Sequence, residues 1–419
     1  MTDSHGPLFP QSGEFMQSIR DSCRRVRKAA HISIERSSIE RLLLSPSFIS
    51  SFRRVSKSHG LAFPLQFPSV VSELNLLAVL ALLNFASGYR VPLHEQTGRG
   101  AWDNMRALAF GMFITSTNEQ DLLSARGMKD ASEQKIAELL GVNVHIERPH
   151  EKLPGVTIGE LGGPIYEIVR LIVQTLNETG EILLSAGYPD LGTFTLEALK
   201  EGQRSAKGTG PDVDKVLEHI VRAIPGFRDM ALINGEPVYV FKKALFLIHA
   251  INIRFGSVSP SSSQSVPIPD TSSLPVFSDN VLPSILIHLG VLDITAAPKL
   301  AGVFPDANKH LDALLAEARS NEPGAEVVAQ MPAHKPLPPS EGPALSTEQA
   351  YILRAAAIDA CEMIVEIARS SDPVALGAGN EWIKTIALPD LDMWLWAVAK
   401  DRPDYRKLER FVLRNTVMF

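Results

Sequence analysis

Cysteine is nearly missing: Cys23 and Cys361 are the only two in 419 residues. They lie far apart in helical patterns, which excludes a disulfide framework and points to a reducing compartment, with the cytoplasm as the expected location. Long apolar runs are also lacking. NLLAVLALLNFA, Asn75 to Ala86, is too short to span a bilayer and reads as a buried helix, so no membrane partner is expected. The N-terminus, MTDSHGPLFPQSGEF, has neither the charged start nor the apolar core of a secretory signal, and Asp3 and Glu14 argue against a transit peptide. Basic excess is absent too: a net charge of -6 argues against charge-driven nucleic-acid binding. HExxH, paired CxxC, GxxxxGK[ST] and GxSxG are all missing, which removes the minimal spacings of zinc hydrolases, P-loop NTPases and serine hydrolases. No metal and no cofactor is expected. His145 and His150 in NVHIERPHE sit in a Pro-broken stretch and read as unrelated surface histidines.

What remains is a chain with 45% hydrophobic and 21% charged residues, enough to bury a large core as one domain or two fused lobes. Helical periodicity covers Ser18 to Leu44, Val70 to Phe85, Ala101 to Thr115, Ser132 to Leu140, Gly163 to Leu184 and Leu196 to Arg204. It continues through Asp212 to Ala223, Val281 to Gly290, Ala307 to Arg319, Thr347 to Ser370 and Leu391 to Ala399. EPVYVFKK after an Asn-Gly turn signal predicts a short hairpin. A disordered tail over 1–15 and one helical domain over 16–419 are expected, with flexible loops near 256–275 and 320–346, both rich in Pro and polar residues.

Several stretches carry candidate chemistry. In FSDNVLP, Asp279 stands where a Ser/Pro-rich segment enters an apolar helical run. It reads as a helix cap, a solvated carboxylate or a catalytic acid. Arg20, Arg24, Arg27 and Lys28 share a helix face, either solvated or a phosphate track. GELGGP, Gly159 to Pro164, closes a turn or cradles an anion ahead of a helix. Trp102, Trp382, Trp394 and Trp396 read as core before base-stacking platforms.

PGFRDMALINGEPVYVFKKALFLIHAI, Pro225 to Ile251, resembles the queuosine salvage family, which releases the base queuine from queuosine 5'-phosphate by cleaving the N-glycosidic bond. The matching residues are Phe227, Arg228 and Asp229, then Lys242, Lys243 and Ala244, then Phe277, Ser278, Asp279 and Pro283. LLNFASGY, LEALKEGQRSA, LRAAAIDACEMI, LDMWLWAVA and LRNTVMF extend the resemblance over roughly Ile19 to Phe419. It implies an all-α fold similar to helical DNA glycosylases with a small β-hairpin insertion. It also implies a small-molecule nucleotide substrate, with no nucleic acid bound directly.

The same resemblance puts Asp279 on the family's catalytic carboxylate and Lys242 beside it in function. Substrate contacts are implied for Phe227, Asp229, Lys243, Phe277, Asn280, Arg354 and Arg414. Lys242 otherwise reads as a solvated helix lysine, Arg354 and Arg414 as surface ion pairs, and Asp229 and Asn84 as caps. The chain departs from the family pattern where Gln and an acidic residue give way to Leu245 and Ala250, Tyr-Arg to Asn280 and Val281, and two glutamates to Ala350 and Ile352. The chemistry needs a carboxylate against an oxocarbenium-like sugar, because a 7-deazaguanine has carbon where purines accept a proton. The alternative is a ligand-binding or scaffold protein that keeps the fold without catalysis.

Overall fold

The computed structural model describes residues 6–57, 60–117, 121–206, 208, 210–256, 266–317 and 341–419. Much of the two expected loops, and the first five residues of the expected tail, lie outside the described residues. Packing divides the chain into two compact units. The first comprises Met1–Ala62, Met230–Val240 and Thr271–Val412; the second comprises Phe63–Asp229, Phe241–Asp270 and Leu413–Phe419. Helix dominates both, as the periodicity predicts.

The first unit opens with α1 (Phe15–Ala29), α2 (Arg36–Leu43) and α3 (Pro46–Val55). The second carries α4 (Val70–Leu82), α5 (Arg90–Thr97), α6 (Ala101–Thr115), α7 (Ala125–Lys129) and α8 (Glu133–Leu140). It continues through the hairpin β1 (His145–Pro149) and β2 (Thr157–Leu161) to α9 (Gly163–Ser185), α10 (Leu191–Ser205) and α11 (Val213–Ala223). The hairpin β3 (Met230–Ile233) and β4 (Glu236–Tyr239) belongs to the first unit, and α12 (Lys242–Phe255) to the second. The first unit ends with α13 (Val281–His288), α14 (Leu311–Leu315), α15 (Thr347–Ser370), α16 (Pro373–Leu376), α17 (Leu388–Asp401) and α18 (Pro403–Arg406).

The helix expected over Ser18 to Leu44 is two helices. His31 takes a left-handed backbone, φ 57°, while its N–H bonds the Lys28 carbonyl and that of Ile32 the Arg27 carbonyl. This is the Schellman stop, with histidine where glycine is usual, so no Gly or Pro signals it. Ser33 then pairs with Asp293 in an isolated bridge. The basic face of α1 is partly solvated and partly paired: Arg20 pairs with Glu362 at 2.7 Å, and Arg24 and Arg27 both pair with Asp359 on α15, while Arg24 and Lys28 stay exposed.

Asn234 and Gly235, both at positive φ, make the two-residue turn of β3–β4, the conformation Asn-Gly favours. The second hairpin corrects the reading of NVHIERPHE as a broken loop. Its ladder runs from His145↔Leu161 to Pro149↔Thr157, which leaves Pro149 at a strand end, where a missing N–H is tolerated. GELGGP accordingly finishes β2 and opens α9. The helix expected over Ala307 to Arg319 is restricted, among the described residues, to α14, after turns in which Ala307 and Lys309 bond three residues back.

In the second unit α4 is buried on every side from Leu74 to Leu83. Helix α10 lies directly on it: a Cβ at Gly192 would stand 2.6 Å from the Asn75 backbone, and the Gly192 N–H donates to Asn75 Oδ1 at 3.0 Å. No single helix among the described residues is long and apolar enough to cross a membrane.

Candidate functional site

The second unit gathers the lysines of the FKKA stretch at the C-terminal end of α4. Orphan carbonyls at a helix C-terminus attract cations. Lys242 Nζ donates to the Asn84 carbonyl at 2.6 Å and to Asn84 Oδ1 at 3.0 Å, and Lys243 Nζ donates to the Leu82 carbonyl at 2.8 Å. Lys242 is thus no solvated helix lysine, being 5% exposed. Phe241 stands before them at φ 47°, a left-handed backbone that costs a bulky residue of order 1–3 kcal/mol. That conformation is held by the Asp229 carbonyl, which accepts the Phe241 N–H at 3.0 Å, while Asp229 Oδ2 accepts the Lys242 N–H at 3.2 Å. Asp229 therefore caps α12 from across the hairpin.

Lys243 has no exposure, and its ammonium faces the rings of Phe85 at 5.0 Å and Phe227 at 5.8 Å. Burial first, then the neighbouring Lys242, push its pKa well below the usual lysine value, against a pull upward from Asp229. The folded value lies below the unfolded one, so the unfolded chain binds more protons as pH climbs towards 10.5, and stability rises with pH over that window. Lys243→Met is expected to flatten this rise on the alkaline approach to pH 10.5, read below about pH 9.5, where tyrosines do not yet titrate. Urea midpoints across that range check it; parallel profiles for the two proteins contradict it.

In the first unit the Phe277–Asn280 loop is tied down residue by residue. The Phe277 N–H donates to Asp392 Oδ2 at 2.7 Å, Arg354 Nε to the Ser278 carbonyl at 2.9 Å, and Asn280 Nδ2 to the Phe411 carbonyl at 2.8 Å. Asp279, 8% exposed, accepts the Val281 N–H on Oδ1 at 2.7 Å. One oxygen thus caps the start of α13, while no hydrogen bond reaches the other among the described residues. The cap reading and a chemical role are compatible.

Neither arginine candidate is a surface ion pair. Arg354 is wholly buried with its guanidinium 5.2 Å from the Tyr351 ring centroid. Arg414, in the second unit, donates from Nε to the Gly88 carbonyl at 3.3 Å and lies 5.9 Å from the Tyr89 ring. A Cβ on Gly88 would sit 2.1 Å from the Leu413 carbonyl oxygen, so only glycine admits the C-terminal segment there. Sequence reasoning missed Asp392 and Phe85 as supports, although both lie in stretches it had singled out, LDMWLWAVA and LLNFASGY. Among the described residues no group of three or more His, Cys, Asp or Glu is placed to hold a metal ion.

A family model described as queuosine salvage protein matches residues 77–303, more than half of the chain and inclusive of Asn84, Asp229, Lys242 and Asp279. Proteins named queuosine 5'-phosphate N-glycosylase/hydrolase are similar over 119 residues. That of Mus musculus is 32% identical over 28% of this chain and 30% of its own length. That of Bos taurus is 30% identical over the same shares, and that of Sphaerobacter thermophilus 29% over 28% of this chain and 32% of its own. The similarity thus spans about a third of the length of each relative. On the family match across these residues, the chain belongs to the queuosine salvage protein family.

Proposed function

We propose that this chain hydrolyses the N-glycosidic bond of queuosine 5'-phosphate or a closely related nucleotide. Water adds at C1' of the ribose and the base leaves with a proton, giving the free base and ribose 5-phosphate. The observation that carries the reading is the fixed carboxylate of Asp279. Its rotamer is set by the Val281 amide, in a loop whose neighbours are anchored by Asp392, Arg354 and the Phe411 carbonyl. A preorganised charge needs no reorganisation when cation character develops on the sugar, which is where such groups gain their effect. The same carboxylate can orient or deprotonate the attacking water.

In this reading Lys242 supplies a fixed positive charge, and Asn84 and Asp229 hold it in place. Lys243 and Phe227, both without exposure, support that arrangement from below. Arg354 acts as a positioning residue through the Ser278 carbonyl, and Arg414 is the candidate to meet the phosphate, since a planar guanidinium suits phosphate oxygens. Phe277 and Asn280 set the two sides of the aspartate.

Purified protein incubated with queuosine, its 5'-phosphate and guanosine 5'-phosphate, with mass spectrometry of the released base, tests the proposal. Base release from queuosine 5'-phosphate is expected, unchanged by EDTA. Release from none of the three favours the second reading, a ligand-binding protein without catalysis, to which the replacement of polar family positions by the buried Leu245 and Ala250 gives weight. Activity lost to EDTA and restored by a divalent ion contradicts metal independence.

A further inference from the structure

From Lys242 to Ile251, helix α12 is buried almost completely. Lys243, Ala244, Leu245, Leu247, Ile248, Ala250 and Ile251 have no exposure, while Lys242 keeps 5% and His249 8%, and Phe246 is half-buried. These three positions are i, i+4 and i+7, one stripe along a helix. Leu245 and Ala250, the two positions on α12 at which the chain departs from the family pattern, lie off this stripe. Beside it stands Trp102 of α6, the half-buried tryptophan of the second unit, whose ring meets that of Phe246 edge to face at 5.7 Å and 80°. The stripe therefore presents, in order, a cation, an aromatic corner and an imidazole.

We propose that this stripe is the base-recognition element: the heteroaromatic base lies against Phe246 at the Trp102 corner, and His249 hydrogen-bonds its polar edge. The inference rests on the N-glycosidase reading and names its specificity-determining residues. A flat 7-deazaguanine offers a π-face for the phenyl ring, a contact available to any base. It also offers ring N–H, amino and carbonyl groups, any of which a single imidazole nitrogen can pair with as donor or acceptor according to the tautomer. The cation at Lys242, one turn before Phe246, places charge chemistry next to the base wall on the same helix face. Discrimination among bases then falls to His249 rather than to Leu245 or Ala250.

The test is equilibrium binding of free 7-deazaguanine and of queuine to the full chain by calorimetry, with tryptophan emission recorded in parallel. Phe246→Ala is expected to weaken base binding by about five- to a hundredfold, the effect of losing an aromatic platform, and Phe246→Leu to do so while keeping apolar volume. His249→Ala is expected to weaken it by about two- to tenfold, with His249→Gln restoring part of the loss. Ribose 5-phosphate binding should not move in any of these variants. Base-induced quenching should be lost in Trp102→Phe. Equal base affinity in wild type, Phe246→Leu and His249→Ala overturns the inference, as does the absence of any base binding to wild type. Base binding that depends on Phe246 without any nucleotide cleavage keeps the inference and removes the hydrolase reading. Cleavage with unaltered kcat/KM in Phe246→Leu and His249→Ala does the reverse.

Discussion

Asp279→Asn is expected to lower base release from queuosine 5'-phosphate by at least about a hundredfold while leaving the fold intact. The amide oxygen can still accept the Val281 N–H, now made by Oδ1 at 2.7 Å, so the start of α13 and the anchored loop should persist. What disappears is the negative charge opposite the developing sugar cation, and removing one preorganised electrostatic group commonly costs about 10²- to 10³-fold in kcat. The substitution keeps shape, so the loss should fall on kcat more than on KM. Asp279→Ala serves as the contrast: it removes the cap as well, which should lower stability by about 0.5–2 kcal/mol. Near-wild-type turnover in Asp279→Asn, with an unchanged melting curve, would falsify the assignment of the carboxylate.

Lys242→Met should cost about ten- to a hundredfold in kcat/KM, the range of losing one charge-assisted hydrogen-bonding group. Methionine keeps the length of the stem but leaves the Asn84 carbonyl and Oδ1 without the ammonium they now share. Lysine is a compact point charge with three donors, so Lys242→Arg is not expected to restore activity fully, because a guanidinium cannot occupy the same two-acceptor seat. Comparing queuosine with its 5'-phosphate separates two roles. An equal loss on both substrates marks a charge acting at the glycosidic bond, whereas a loss confined to the phosphorylated substrate marks a phosphate contact. Unchanged kcat/KM on both would leave Lys242 a structural tie between α12 and the end of α4.

Local chemistry made several elements legible. Ser132, Asp212 and Ser346 each stand one residue before their helices and cap them through the side chain, and the hairpin turn follows from Asn-Gly. Alternation and periodicity are short-range signals, so they also failed on short range. The stop at His31 depends on a left-handed residue that no glycine announces, and β1–β2 depends on a ladder that only one register of two polar segments creates. The order of motifs along the chain is silent on how segments sort into compact units. Met230–Val240 belongs with Met1–Ala62 and Thr271–Val412 in one unit, while the residues on either side of it belong to the other.

By itself the sequence determined the helical class, the turn at Asn234-Gly235, the family order of motifs and the identities of Asp279 and Lys242 as candidates, because each is written in adjacent residues. Only the tertiary structure decided what holds them. The Asp279 loop is set by hydrogen bonds to residues 76, 115 and 131 positions away, and the Lys242 ammonium is seated 158 positions from its partner. It also decided which face of α12 keeps any exposure, and so which of its side chains can meet a ligand. Periodicity marks a helix as apolar all round or on one side, but which residues stay exposed is fixed by neighbours brought in from distant parts of the chain.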